Sequence, residues 1–239
     1  MANKPIIGIS MGDPFGNGPE ITVKVLNDKD IYAECKPVVV GDATCMEYAL
    51  EVAAKVSDIH LKLNIIPAVK DAKFEFGTID LLDLKQVPAD QIPRKEKDGQ
   101  PQPFGMGATK LGGEAAFQYV VKVIDLAMKH EVDATVTNAL SKEAINMAGH
   151  HYSGHTEIYA DYTHTKKYTM MLAHDNLRVV HVSTHVSLRE AINRVKKDRV
   201  LEVIRIADAG CKALGMKNPK IAVAGLNPHC GENGLFGRE

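Results

Sequence analysis

Short apolar runs alternate with stretches of helical periodicity along the chain, and this alternation predicts the fold class. The period of two that is typical of half-buried strands is present at residues 61–66, whereas residues 107–130 place apolar side chains at helical spacing. Such alternation favours an α/β fold with a mostly parallel sheet covered by helices on both faces. Strands are predicted at residues 6–10, 37–41, 61–66, 78–82 and 132–137, and helices at residues 19–26, 43–56 and 107–130.

The composition changes at residues 85–105, where prolines and charged residues such as Pro93 and Asp98 predict an exposed loop. We place the domain boundary after the helix that follows, with a first α/β domain at residues 1–130 and a second at residues 131–239. The last predicted strand precedes the chain end closely, so we expect a truncated second domain, a fragment without its return segment. This second domain is predicted to contain helices that begin near residues 143, 155 and 187, and strands at residues 132–137, 177–184 and 220–224.

Charge and composition exclude some classes of function. The chain has 239 residues, 29 basic and 30 acidic, so the formal charge of -1 predicts neither a nucleic-acid footprint nor a polybasic membrane surface. No apolar run is long enough to cross a bilayer, and Met1 to Pro5 enters a strand without a secretory leader. Four cysteines without C-x-x-C spacing predict reduced, mostly buried thiols in a cytoplasmic protein; they are Cys35, Cys45, Cys211 and Cys230.

The first strand-to-helix connection, residues 11–20, is rich in glycine. Gly16 and Gly18 allow positive φ or close backbone approach, and Pro19 with Glu20 suits a first helical turn. The spacing matches neither the dinucleotide fingerprint nor the Walker A loop. Two interpretations stay open: a tight turn that begins the helix, and a loop at the rim of a ligand site, since α/β proteins bind ligands at the carboxyl ends of strands.

Two histidines are placed where chemistry is expected. His155 lies at a loop-to-helix junction after Ser153 and Gly154, and His185 is predicted at the end of the strand at residues 177–184. Neutral imidazole is a common ligand of divalent metals, so these two side chains could share one ion. His181, four residues before His185, is predicted to be buried in the sheet. The alternative for any single histidine is a surface or core role, which we expect for His60, His130, His164 and His174.

Six motifs in order resemble one enzyme family across essentially the whole chain. They are GDP at residues 12–14, GNGPE at 16–20, SKE at 141–143, GHTE at 154–157, STHVSLR at 183–189 and GLNPHCGE at 225–232. Together they resemble the PdxA family of 4-hydroxythreonine-4-phosphate dehydrogenases. The resemblance implies an isocitrate/isopropylmalate dehydrogenase-like fold of two α/β/α domains and a homodimer with its active site between domains and subunits. It also implies a divalent metal held by three histidines, and NAD as hydride acceptor.

The resemblance assigns roles to four residues of this chain. The family's metal histidines fall on His155 and His185, with the third beyond the chain end, and its substrate-contacting pair falls on Ser141 and Lys142. Lys142 would bind a substrate anion or transfer a proton, or it is a solvated lysine at a helix start. Ser141 would hydrogen-bond the substrate, or it is a helix N-cap. The metal could be zinc, magnesium, cobalt, manganese or nickel.

The substrate implied by the resemblance is a 4-phosphorylated hydroxy acid that is oxidised and then decarboxylated. Ser141 departs from the histidine of the vitamin B6 enzymes. The stretches at residues 183–185 and 231–237 resemble more closely the branch of the family that acts on four-carbon sugar acid 4-phosphates such as threonate or erythronate. The other candidate is 4-hydroxy-L-threonine 4-phosphate. Two alternatives of different class remain: a phosphate acyltransferase on a related fold, and a non-catalytic fragment or binding protein.

Overall fold

The computed structural model describes residues 4–92, 94–97, 99–103, 105 and 107–239. These residues form two compact units, unit 1 ending at Thr163 and unit 2 spanning His164–Glu239. Some residues used in the predictions lie outside the described residues. They are Met1 to Asn3, from the predicted start without a secretory leader, and Pro93 and Asp98, from the predicted exposed loop.

A five-stranded parallel sheet is the centre of unit 1. The strands of the unit are β1 (Ile6–Ser10), β2 (Lys36–Gly41), β3 (Lys62–Ile65), β4 (Thr78–Asp83), β5 (Lys95–Lys97), β6 (Gln100–Gln102) and β7 (Ala134–Thr137). The sheet order is β3-β4-β2-β1-β7, and every pairing within it is parallel. The predicted α/β class with a parallel sheet is therefore confirmed. The remaining strands, β5 and β6, form an antiparallel pair inside the segment predicted as a loop.

The helices of unit 1 follow the strands closely, as the alternating pattern predicts. They are α1 (Gly18–Leu26), α2 (Lys29–Glu34), α3 (Ala43–Ala53), α4 (Lys110–Met128), α5 (Lys142–Met147) and α6 (His155–Tyr162). Helix α1 begins with proline in its first turn and Glu20 beside the positive end of the helix dipole. Helix α4 begins at the N-cap Thr109, whose side chain accepts a hydrogen bond from Gly112 N.

Helix α4 lies between two apolar cores. Ala115, Tyr119 and Val123 belong to the core that contains the sheet, whereas Phe117 and Val120 pack with residues of α5 and α6 in a second core. A helix that is apolar on both faces is buried on both faces. Helices α5 and α6 thus form a further layer on the side of α4 that faces away from the sheet.

The boundary of unit 1 differs from the predicted domain boundary at residue 130. Strand β7, predicted to open the second domain, pairs in parallel with β1, so that Ser10 lies opposite Thr137. Helices α5 and α6 pack on α4, so the compact unit continues to Thr163. A hydrophobic pattern indicates that a segment is a strand but does not identify its neighbour, which is why the sequence does not place β7 in the first sheet.

Unit 2 contains an antiparallel hairpin and two helices. Its elements are β8 (Met171–His174), β9 (Leu177–Val180), α7 (Leu188–Arg194) and α8 (Lys197–Ala213), followed by a 3-10 segment at Pro228–Gly234. The strand predicted at residues 177–184 ends at Val180. The prediction of a strand at residues 220–224 is wrong, because no strand among the described residues pairs with that segment. Strand β9, helix α8 and residues 219–224 line a cavity of about 540 Å³.

Two further observations concern the predictions from composition. No helix in the described part of the chain is both long enough and apolar enough to span a membrane. All four cysteines are free thiols: Cys45 and Cys211 are buried, Cys35 is half-buried and Cys230 is exposed. Burial raises the pKa of the Cys45 thiol to about 12, with smaller contributions led by the charge of Asp42.

Candidate functional site

The candidate site of unit 1 lies at the carboxyl ends of β1 and β7, which are adjacent in the sheet. From β1 the chain crosses through α1 to β2, the neighbour of β1 on one side. The neighbour on the other side, β7, is reached from β4 through α4. The connections therefore diverge between β1 and β7, and open α/β sheets bind ligands at such a switch point. The two loops that meet there are residues 11–17 and residues 138–141.

Close packing explains the glycines of the first loop. Gly12 has φ +79°, and a Cβ atom added there would lie 2.5 Å from the carbonyl oxygen of Ala139. A Cβ atom on Gly18 would lie 2.2 Å from the carbonyl oxygen of Met11. The loop is also tied to the second loop by a hydrogen bond of 2.9 Å from Asp13 N to Ala139 O. Gly12 and Gly18 thus bring the two loops into direct contact, at the rim of the candidate site.

Asn138, the first residue after β7, connects three elements. Its side-chain amide donates to the carbonyl oxygen of Ser10 at 3.1 Å and to the hydroxyl of Thr22 in α1 at 2.8 Å. Its backbone N–H donates to the same Ser10 oxygen at 3.2 Å. No role was predicted for Asn138 from the sequence. A polar amide directly after an apolar strand was the signal that could have identified it.

His155, predicted as a metal ligand, is the first residue of α6 and is half-buried. Burial lowers the pKa of His155, and the smaller effect of the nearby Asn138 backbone opposes it. The Nε2 atom is buried and has no hydrogen-bond partner in the part of the chain that the structure describes. A buried imidazole nitrogen without a hydrogen-bond partner is a candidate metal ligand.

Ser141 and Lys142, the predicted substrate pair, begin helix α5. The Ser141 hydroxyl accepts a hydrogen bond of 3.1 Å from Ala144 N, so the N-cap alternative is confirmed. The same hydroxyl still has a proton to donate. Lys142 is exposed, and its Cε atom lies 3.9 Å from the point that a Cβ atom of Gly154 would occupy. The lysine side chain therefore passes beside the junction that carries His155.

Glu157, in the first turn of α6, is a neighbour that the sequence reasoning did not select. Its Oε2 atom lies 3.7 Å from the same Cβ point of Gly154 and is buried without a hydrogen-bond partner among the described residues. The GHTE motif was the signal that could have identified this residue. The structure thus brings Asn138, Ser141, Lys142, His155 and Glu157 to one edge of unit 1.

His185 and His181 belong to unit 2 and differ from their predicted placement. Strand β9 ends at Val180, so His185 is not a strand terminus; it is exposed, with φ +57°. His181 follows β9 directly and is half-buried rather than buried, although its Nδ1 atom is enclosed. The difference arises because, among the described residues, β9 pairs only with β8 in a short hairpin. Within the described ranges, no group of three or more His, Cys, Asp or Glu side chains could hold a metal ion.

Comparison with known proteins gives a consistent result. The family model for pyridoxal phosphate biosynthetic protein PdxA matches residues 33–239. A protein of Oceanobacillus iheyensis, provisionally named D-threonate 4-phosphate dehydrogenase, is 42% identical over 99% of this chain and 67% of its own length. A protein of Clostridium botulinum with the same provisional name is 41% identical over 99% of this chain and 66% of its own.

A solved structure agrees with these relatives. The crystal structure of 4-hydroxythreonine-4-phosphate dehydrogenase from Klebsiella pneumoniae is 36% identical and matches with a TM-score of 0.83, covering 99% of this chain and 67% of that one. The chain thus spans about two thirds of the length of the proteins it matches. Because the family model covers most of the chain and the sequence motifs occur in order, the chain belongs to the PdxA family.

Proposed function

We propose that this chain is a cytoplasmic, NAD-dependent and metal-assisted dehydrogenase of a 4-phosphorylated hydroxy acid. The favoured substrates are D-threonate and D-erythronate 4-phosphate, with 4-hydroxy-L-threonine 4-phosphate as the second choice. The names of the relatives support a 4-phosphate dehydrogenase. The single observation in this chain that carries the proposal is the state of His155, a half-buried residue whose Nε2 atom is enclosed and has no hydrogen-bond partner among the described residues.

The chemistry of His155 fits a metal ligand. A ligating imidazole must be neutral, and burial lowers the pKa of His155. The buried Nε2 atom has no hydrogen-bond partner among the described residues, so its lone pair would be available to a metal ion when the proton is on Nδ1. We propose His185 as a second ligand on the resemblance alone. A bound divalent metal would supply Lewis acidity at the hydroxyl that is oxidised, while NAD would take the hydride.

Lys142 and Ser141 are the proposed substrate contacts of this chain. As an ammonium group, Lys142 would bind the carboxylate or phosphate of the substrate, and as an amine it would accept the proton of the oxidised hydroxyl. The Ser141 hydroxyl, fixed as the N-cap of α5, would donate its proton to a substrate oxygen. Loss of CO₂ from the resulting β-keto acid would complete the reaction. We also propose that the enzyme is a homodimer.

Metal binding is the first test of the proposal. Isothermal titration of the chain with Zn²⁺, Co²⁺ and Mn²⁺ is expected to show binding that the His155→Ala variant weakens about 100-fold, because a ligand is lost. The control is His60→Ala, since His60 is a solvent-exposed histidine that pairs with Asp58. Equal metal binding by the wild-type protein and the His155→Ala variant would contradict the proposed ligand.

The substrate is tested by NADH production with the three 4-phosphorylated acids. Wild-type protein is expected to prefer threonate or erythronate 4-phosphate, and Ser141→His is expected to shift the ratio of kcat/KM values towards 4-hydroxythreonine 4-phosphate about 10-fold. Ser187→His is the matched control, because Ser187 is also a helix N-cap but belongs to unit 2. If both variants leave the ratio unchanged, residue 141 does not select the substrate.

A further inference from the structure

Helix α6, which begins at His155, is held on α4 largely by apolar side chains. Ile158 is 0% exposed and lies in the second core with Phe117 and Val120 of α4. Apolar burial stabilises this packing but has no preferred direction. A hydrogen bond between α6 and the sheet would add a directional contact, because its strength depends on distance and angle.

Tyr159 makes such a hydrogen bond. Its hydroxyl oxygen lies 2.7 Å from the hydroxyl oxygen of Thr135 in β7, so one group donates and the other accepts. Both residues are half-buried, whereas Ala134 and Val136, on the opposite face of the strand, are exposed. Thr135 therefore stands on the protected face of β7, and the bond joins α6 directly to this strand.

The bond lies close to the candidate site along both elements. Tyr159 follows His155 by four positions in α6 (His155–Tyr162), so the two side chains leave the same face of the helix, one turn apart. Thr135 lies three positions before Asn138, the first residue of the loop at the site. The hydrogen bond thus connects the two elements whose ends form the site, β7 and α6.

We propose that Tyr159 is a positioning residue for His155: its hydrogen bond to Thr135 fixes the rotation of α6 against β7 and so sets where the imidazole of His155 points. The enclosed Nε2 atom of His155, which has no hydrogen-bond partner among the described residues, is the atom that this rotation would present to a metal ion. The inference rests on the proposed function in that the ion is the one proposed there.

Isosteric variants test the hydrogen bond itself. Tyr159→Phe keeps the ring and Thr135→Val keeps the shape of the side chain, and each deletes one of the two hydroxyl groups. In metal-free protein with ¹⁵N-labelled histidine, the NMR signal of the His155 ring is assigned by its loss in His155→Gln. Both variants are expected to shift and broaden this signal in the same way, and Zn²⁺ affinity measured by titration should fall about 10-fold, as when other residues that orient a metal ligand are altered.

Two further variants serve as controls. Thr135→Ser keeps the hydroxyl, so it should retain the His155 signal and the Zn²⁺ affinity of the wild type. Tyr32→Phe removes another tyrosine hydrogen bond of unit 1, from Tyr32 Oη to Thr78 O at 2.9 Å; it should lower stability and leave the His155 signal unchanged. If Tyr159→Phe does not fold, the comparison of Thr135→Val with Thr135→Ser gives the answer.

The outcomes separate this inference from the proposed function. A wild-type His155 signal in both Tyr159→Phe and Thr135→Val, or the same change of signal in Thr135→Ser or Tyr32→Phe, would overturn the positioning role. If the signal changes as expected while wild-type protein binds no metal, the positioning role stands and the metal-assisted function fails. If wild-type protein binds Zn²⁺ through His155 and neither Tyr159→Phe nor Thr135→Val alters the signal, the proposed function stands and the positioning role fails.

Discussion

The parallel sheet of unit 1 and the hairpin of unit 2 are built from similar apolar runs, but the side chains of these runs are buried in unit 1 and largely exposed in unit 2. Val38, Val39 and Val40 in β2 are all 0% exposed, whereas Leu177 in β9 is 67% exposed and Val223 in the predicted last strand is 60% exposed. Strand β2 has hydrogen-bonded neighbours on both edges and helices over the sheet. Strand β9 has one neighbour, and residues 220–224 have no strand partner in the described chain.

The comparison shows what an apolar pattern can and cannot establish. It indicates that a segment gains free energy by burial, about 25 cal/mol per Å² of apolar surface removed from water. Whether that gain is realised depends on which strand or helix packs against the segment, and the apolar pattern does not identify that element. The types of apolar residue that form a core in unit 1 therefore line a cavity in unit 2.

The largest expected effect comes from removing matched isoleucines in the two units. Ile79→Ala in β4 should lower the free energy of unfolding by about 3 kcal/mol, because Ile79 is 0% exposed and the cavity would lie inside the core. Ile221→Ala should cost less than about 1 kcal/mol, since Ile221 is 40% exposed. Urea denaturation, with hydrogen exchange of peptides from each unit, measures both. Equal costs would show that residues 220–224 are buried in solution and would remove the contrast.

Much of the fold was predictable from the sequence, because the strands and helices of the unit 1 core carry local signals. Strands β1, β2 and β4 are apolar runs next to glycine or proline, and helix α4 carries apolar residues at helical spacing. Both signals are local. The place of β7 beside β1 was not predictable, because it depends on a pairing between segments more than 120 residues apart.

The candidate site divides in the same way. Ser141 as a helix N-cap and His155 at a helix start follow from local sequence, and both are observed. The position of His155 near the backbone of Asn138 could not be predicted, since it requires α6 to meet the end of β7 after α5 and α6 have packed on α4. The predicted placement of His185 was wrong for the reason that distinguishes the two sheets: in the part of the chain that the structure describes, β9 pairs with β8 alone and ends at Val180.

A second comparison, with a smaller expected effect on stability, is between a buried carboxylate of unit 1 and a solvent-accessible carboxylate of unit 2. Asp13 is 8% exposed, and burial raises its pKa against a hydrogen bond from Phe15 N–H that lowers it. A raised pKa in the folded state means that Asp13 contributes stability at low pH and that this is lost as pH rises above the usual value of 3.8. Asp13→Asn, which keeps an acceptor for Phe15 N–H, should therefore raise stability at pH 7.5 by about 1 kcal/mol relative to pH 4. Urea denaturation at the two pH values measures the change.

The control for Asp13 lies in unit 2. The pKa of Glu190 is lowered by hydrogen bonds from Arg194 and then Asn193, so its contribution has the opposite sign and is lost as pH falls. The Glu190 side chain is 46% exposed and pairs with Arg194 at 2.9 Å, so Glu190→Gln should change the pH dependence much less than Asp13→Asn does. A pH dependence of stability that Asp13→Asn leaves untouched would exclude Asp13 as its source.

The smallest expected effect comes from two matched helix caps. Ser141 and Ser187 each accept a hydrogen bond from the backbone N–H three residues later, at 3.1 Å and 3.2 Å. Helix α5 carries the buried residues Ala144 and Ile145, whereas α7 has no buried residue. Ser141→Ala should therefore destabilise unit 1 by about 1 kcal/mol, while Ser187→Ala should cost only a few tenths of a kcal/mol, because a helix without core contacts adds little to cooperative stability. Hydrogen exchange of the two helices measures both losses, with Ser57→Ala, outside any helix, as reference. A larger loss for Ser187→Ala would mean that α7 is packed in solution.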